Sequence, residues 1–143
     1  MNVANILATK GRPVVTIRPR ESVREAVARL AESLVGALVV VDEGGRPIGM
    51  ITERHIVRRL ATDAKLLTRA VNEIMASDLV TATPQDDLPS VLHVMTERRI
   101  RHLPVVDRTG LAGIVSIGDV LRFQRDQYRG QADTLETRVM VIE

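Results

Sequence analysis

Two halves of this chain carry the same pattern in the same order. At an offset of 65, Val15-Thr16-Ile17-Arg18-Pro19 falls on Val80-Thr81-Ala82-Thr83-Pro84, and Val35-Gly36-Ala37-Leu38-Val39-Val40-Val41-Asp42 falls on Ile100-Arg101-His102-Leu103-Pro104-Val105-Val106-Asp107. One residue is lost in the following turn, so Gly49-Met50-Ile51-Thr52 meets Gly113-Ile114-Val115-Ser116 at an offset of 64. Three ordered matches with a single deletion identify an internal duplication, which constrains the fold before any one element is considered. A copy of about 60 residues is marginal alone, because it buries too small a share of its surface. The two copies are therefore expected to pack sheets or helices against each other.

Each copy reads as strand, helix, strand, strand, helix, an α/β (α+β) pattern. Residues 14–17 and 80–83 are short β-branched stretches running into a Pro. Ser22 has the N-cap position of the next helix, with Glu25 at capping-box spacing, and Val23, Ala26, Val27 and Leu30 follow helical periodicity. Asp87 is the counterpart cap, ahead of Pro89 in the first turn and of Val91, Leu92 and Met95. The apolar runs 37–41 and 103–106 suit strands buried on both faces. Asp-Gly-rich turns join them to strands 47–51 and 111–115, forming hairpins. Thr52 and Ser116 then cap a second helix in each copy. The boundaries are an entry segment 1–13, copies 14–62 and 76–128, a linker 63–75 with a short helix near 71–75, and an extension 129–143. In that extension Leu135, Val139 and Ile142 form a helical stripe, predicting a short amphipathic helix docked on the core or a dimer interface.

Composition narrows the function classes. With one Phe, one Tyr and no Trp, base-stacking recognition of single strands is disfavoured. No Cys is present, which excludes disulfides and thiolate metal sites. Twenty basic residues face 18 acidic ones without a run of like charge, so neither a nucleic-acid footprint nor a polybasic membrane patch is read. No secretory signal or membrane-spanning stretch is seen, and a cytoplasmic location is expected. The three His are scattered, so no metal site is predicted. No Gly-rich phosphate loop is present either.

The ordered motifs carry a resemblance. Ser22-Val23-Arg24-Glu25-Ala26, the run from Val35 to Asp42, and Gly44-Gly45-Arg46-Pro47-Ile48-Gly49-Met50-Ile51-Thr52-Glu53-Arg54 resemble a CBS domain, the cystathionine β-synthase type repeat. Arg101-His102-Leu103-Pro104-Val105-Val106-Asp107 followed by Gly113-Ile114-Val115-Ser116-Ile117-Gly118-Asp119-Val120-Leu121 resembles it more closely. The likeness covers 14–60 and 80–123. It implies a tandem pair, or Bateman module, packed with pseudo-two-fold symmetry, of the stand-alone bacterial type. Such pairs bind adenosine-containing ligands (AMP, ADP, ATP, NAD or S-adenosylmethionine) between the repeats, form flat homodimers, and regulate an enzyme or transporter. An unidentified target protein in trans is accordingly expected.

Ser116 and Asp119 lie three apart on the first helical turn. There Asp119 can accept hydrogen bonds from a ribose diol, and the helix start offers N–H donors to a phosphate. Helix chemistry alone equally allows Ser116 and Asp119 to do no more than cap. The resemblance implies a ligand cleft made of Ser116, Ile117 and Asp119 with Gly36, Ala37 and the entry residues Lys10, Gly11 and Arg12. The first copy departs from the pattern: Thr52 is present, but His55 replaces the carboxylate and cannot accept from a diol in the same way. That second, weaker cleft would comprise Thr52, His55, Arg101 and His102. No nucleophile–base pair or carboxylate dyad is legible, so a binding module without catalysis is favoured over a small hydrolase or transferase. A ligand-free interaction module is the other alternative.

Overall fold

A computed structural model of the chain describes residues 1–10 and 14–136, with side chains through Arg129. The element order is α1 (Val3–Lys10), β1 (Thr16–Ile17), α2 (Val23–Ser33), β2 (Ala37–Val41), β3 (Pro47–Thr52), α3 (Glu53–Leu60), α4 (Leu88–Arg98), β4 (His102–Asp107), β5 (Gly110–Ser116) and α5 (Ile117–Glu136), with 3-10 turns at Leu66–Thr68 and Val71–Glu73 between α3 and α4. It is a mixed α and β fold with a three-stranded sheet β1-β2-β3 and a two-stranded sheet β4-β5.

Strand β1 lies parallel to β2, and the hairpins β2–β3 and β4–β5 are antiparallel. The stretch expected as a strand at 80–83 shrinks to one parallel bridge, Ala82 to Val105. Ala82 makes both of its bonds to β4, but the next N–H, that of Thr83, turns to the Asp86 carboxylate at 2.8 Å. A local side-chain acceptor has taken the donor that a longer ladder needs.

The helix starts follow the caps. Ser22, Thr52 and Asp87 accept the N–H of Glu25, His55 and Ser90. The ends of α2 and α4 hold a surprise. Leu34 and Arg99, equivalent in the two copies, both cap in the left-handed region at φ 54°. In each case the following N–H, of Val35 or Ile100, also bonds back to the carbonyl of Leu30 or Met95. This is the Schellman closure that normally uses Gly, and a side chain there costs about 1–2 kcal/mol.

Strand β2 is buried along its whole length, as its composition suggests. Leu38, Val40 and Ile51 pack with α2, α3 and the inter-copy residues Leu66, Val71 and Ile74 in one core. A second, separate core joins Leu103, Val105, Val115, Met95 and Val120 to Val3 and Ile6 of α1. The opposite face of the first sheet (Ala37, Val39, Val41 and Met50) is buried too, outside either cluster. Ala37 shares a cleft with His102 and Ile114, so this face is turned toward the second sheet.

Helix α1 precedes the first copy but completes the second. The Val3 and Ala4 N–H groups donate to the carbonyls of Asp86 and Pro84, while Leu88 donates to Met1. The inter-copy segment does the same for the first copy: Val71 and Asn72 donate to Glu21 and Pro19, while Val23 donates to Arg69. Each copy is thus closed by the segment that precedes the other. Leu7 and Met75 are corresponding knobs, set against Gly113 and Gly49.

The expected extension helix is not separate. Residues 130–136 continue α5 without a break, while the docking of Leu135, Val139 and Ile142 lies outside the described side chains.

A Cβ on Gly49 would collide with the Met75 side chain and lie 3.1 Å from the Ala76 carbonyl, whereas one on Gly44 meets only the Asp42 carboxylate at 3.5 Å. Gly49→Ala should therefore lower unfolding free energy by about 1–3 kcal/mol. Gly44→Ala should stay within about 0.5 kcal/mol. Urea midpoints that move equally would refute the packing of Met75 on β3.

Candidate functional site

Two clefts lie between the copies and meet at a shared wall, Gly36 and His102. The first, about 240 Å³, brings Lys10, Gly36, Ala37, Ser116 and Asp119 together. Ile117 is not on its lining, and Gly11 and Arg12 lie outside the described residues. A Cβ on Gly36 would sit 3.4 Å from Glu53 Oε1 and 3.5 Å from His102 Nε2, ordinary van der Waals contact, so packing of the two copies does not by itself demand a glycine there.

Asp119 is held from three sides. Its Oδ2 accepts the Ser116 N–H at 2.9 Å and Lys10 Nζ at 2.8 Å, and its Oδ1 accepts from Arg122 at 2.8 Å. The Asp119 N–H donates to Ser116 Oγ at 3.0 Å, completing a reciprocal capping box. Capping and a place on the cleft lining thus coexist on one carboxylate. Lys10 also donates to the Ile114 carbonyl at 2.7 Å, and both residues line the cleft. Burial pushes the Asp119 carboxyl upward, but the bonds from Lys10 and the Ser116 N–H outweigh it and hold it below its ordinary value.

The second cleft, about 520 Å³, gathers Thr52, His55, Arg101 and His102, together with Glu53, Arg54 and Arg99. Thr52 Oγ1 accepts the His55 N–H at 3.1 Å. With no carboxylate at position 55 the return bond of the capping box is missing. Burial, reinforced by Arg59 and Arg58, lowers the His55 pKa, which works against a protonated, phosphate-holding imidazole. Burial and Lys10 lower that of His102 as well, against the opposite pull of Asp119 and Glu53.

Sequence reading missed Leu34, Arg54, Arg99 and Arg122 as lining residues. Arg122 was findable three residues beyond Asp119 on the helix. Leu34 and Arg99 were findable as equivalent positions just before the two central strands. Among the described residues, no cluster of three or more His, Cys, Asp or Glu could hold a metal ion, and no helix is long and apolar enough to cross a membrane.

The family model described as CBS domain matches residues 3–62 and again 71–126. A 33.4 kDa protein of a ribosomal RNA operon in Thermofilum pendens is 43% identical over 104 residues, covering 73% of this chain but 34% of that protein. Among solved structures, a CBS-domain containing protein from Agrobacterium tumefaciens superposes with a TM-score of 0.83 at 37% identity, over 87% of this chain and 99% of that one. The CBS domain pair of protein MJ0100, solved in complex with 5′-methylthioadenosine and S-adenosyl-L-methionine, has a TM-score of 0.79 at 29% identity, over 89% and 98% of the two chains.

The lowered carboxyl of Asp119 sets an acid dependence. A carboxylate with a depressed folded pKa contributes stability that is complete above its unfolded value of about 3.9 and is lost as pH falls through the folded one. Stability of the wild type should therefore drop more steeply below about pH 4 than that of Asp119→Asn. Parallel curves from pH 6 to 2, followed by circular dichroism, would show that these bonds do not hold the carboxylate.

Proposed function

This chain belongs to the CBS-domain family as a tandem pair, and from that premise we propose that it is a regulatory module without catalysis that binds an adenosine-containing ligand at Asp119. The observation that carries the reading is the place of that carboxylate: at a helix start, on the lining of a cleft between the copies that it shares with Gly36 and Ala37. The MJ0100 pair supports it, since both of its ligands contain a ribose and an adenine.

A ribose diol competes for Asp119 with its present partners. The Arg122 side chain is 61% exposed, and an ion pair of that kind is worth about 0–1 kcal/mol. Lys10, 23% exposed and also bonded to the Ile114 carbonyl, is the harder one to displace. Arg122 therefore yields to the diol and is left free for a phosphate. AMP, ADP, ATP, NAD and S-adenosylmethionine are all candidates. The cleft at His55 lacks the diol acceptor and is the weaker for adenosine.

A thermal-shift series with those five ligands tests the reading, because a ligand at a hundred times its Kd adds about 2.7 kcal/mol to stability. Asp119→Ala should weaken the responding ligand at least about ten-fold in calorimetry, the loss of charge-assisted hydrogen bonds. No response to any of the five would favour the second reading, a ligand-free interaction module, for which Lys10 on Asp119 and His55 in the other cleft speak.

Apolar side chains on the outer faces of α3 and α5 support a homodimer. Val57 is 66% exposed, Leu121 51% and Tyr128 60%. The double variant Val57→Glu, Leu121→Glu should sediment as a monomer where the wild type sediments as a dimer; identical sedimentation would place any dimer contact elsewhere. The regulated target is an unidentified partner protein, met in the cytoplasm.

A further inference from the structure

Lys10 holds two acceptors at once. Its ammonium donates to Asp119 Oδ2 at 2.8 Å and to the Ile114 carbonyl at 2.7 Å, and all three residues line the first cleft. The Asp119 side chain is only 10% exposed, so water screens this pair less than an ion pair on the open surface.

The hold is releasable. Helix α1 is anchored by its first turns, where Val3 and Ile6 are buried in the second core and the Val3 and Ala4 N–H groups bond to the turn ahead of α4. Lys10 is the last residue of that helix, so its side chain can let go without unseating α1. The equivalent joint in the first copy has no such freedom. There Ala76, the residue after Met75, exchanges backbone hydrogen bonds with Met50 in both directions. At Ile114, the counterpart of Met50, a side chain does the holding. The backbone joint borders the second cleft and the side-chain joint borders the first.

The same side chains reach a second place. Lys10, Asp119 and Arg122 also line a groove of about 490 Å³ between α1 and α5, together with Ile6, Thr9, Phe123 and Asp126. A change in the Lys10–Asp119 contact therefore alters the lining of cleft and groove together.

We propose that Lys10 is an autoinhibitory latch on the Asp119 cleft: it occupies in cis the acceptor that a ribose diol needs, and its displacement transmits the arrival of the ligand to the end of α1 and the groove beside it. The latch rests on the adenosine reading, since only a ligand with donors for Asp119 meets Lys10 as a rival. As part of the chain, that rival is present at a high effective concentration whatever the ligand concentration. The coupling is reciprocal: the factor by which Lys10 weakens the ligand is the factor by which the ligand weakens the hold of Lys10.

Adenosine is the probe, because it brings the diol without a phosphate that could recruit the ammonium. In calorimetry Lys10→Met should bind it about ten-fold tighter than the wild type, as expected for removing a competing charge-assisted contact. Lys10→Arg, which keeps a cation for Asp119, should stay closer to the wild type. In the wild type, adenosine should speed amide hydrogen exchange at residues 8–10 and leave residues 3–5 unchanged. In Lys10→Met the amides of residues 8–10 should exchange at the faster rate with or without adenosine. Equal or weaker binding by Lys10→Met, with adenosine bound by both proteins, would overturn the latch and leave the adenosine reading standing. Exchange at residues 8–10 that adenosine slows or does not change in the wild type would overturn it too. Adenosine bound by Lys10→Met alone supports the latch and the adenosine reading together, and adenosine bound by neither protein overturns both.

Discussion

Everything in this molecule depends on an exchange of short segments between its two copies. Val3 and Ile6, at the start of the chain, sit in the core of the second copy, and Val71 and Ile74, between the copies, sit in the core of the first. Each insertion is pinned by three backbone hydrogen bonds to the turn ahead of a helix, in the same pattern at both ends. The cores stay separate, so it is this crossing of the chain, with the buried outer face of β2, that holds the copies in register. The clefts lie between the copies, and their shape is a consequence of that register. Lys10 ends the crossing helix α1 and reaches Asp119 from there. An element that completes a core thus also delivers a charge to the site.

The same architecture yields two clefts with different chemistry because the duplication keeps one backbone link at each cleft and is loose in side chains. The Glu53 N–H bonds to the Gly36 carbonyl at 3.0 Å and the Ile117 N–H to the Arg101 carbonyl at 2.9 Å, the same link made twice. Around that constant frame His55 stands where Asp119 stands, Arg101 where Gly36 stands, and Arg99 where Leu34 stands. Three substitutions turn a cleft with a half-buried acceptor into one rich in donors.

Much of this was legible in the sequence. The repeat, the helix caps, the doubly buried strand and the grouping of Lys10, Gly36, Ala37, Ser116 and Asp119 follow from periodicity, cap chemistry and a family resemblance. What stayed hidden was chiefly the exchange. Its signal was present, because Val3, Ile6 and Leu7 match Val71, Ile74 and Met75 in type and spacing at an offset of 68. That offset differs from the 65 and 64 of the other matches, so an alignment at one register passes over it. The left-handed caps were hidden for another reason: a non-glycine residue at φ 54° leaves no compositional mark, since the usual clue is the glycine itself. The three-way hold on Asp119 needed Lys10, 109 residues away, and no local pattern reports such a pair.

The exchange also decides how the two sheets end. Strands β3 and β5 are edge strands, and an open edge is a template on which another chain can add. At β3, Met50 and Ala76 exchange backbone hydrogen bonds at 2.9 Å in both directions, so the inter-copy segment covers that edge with one antiparallel bridge. At β5 the corresponding carbonyl, that of Ile114, is met by the ammonium of Lys10 instead. One border is closed by backbone and the other is guarded by a charge, the commonest deterrent to strand addition. The lysine that faces Asp119 therefore also discourages the chain from polymerising through its second sheet.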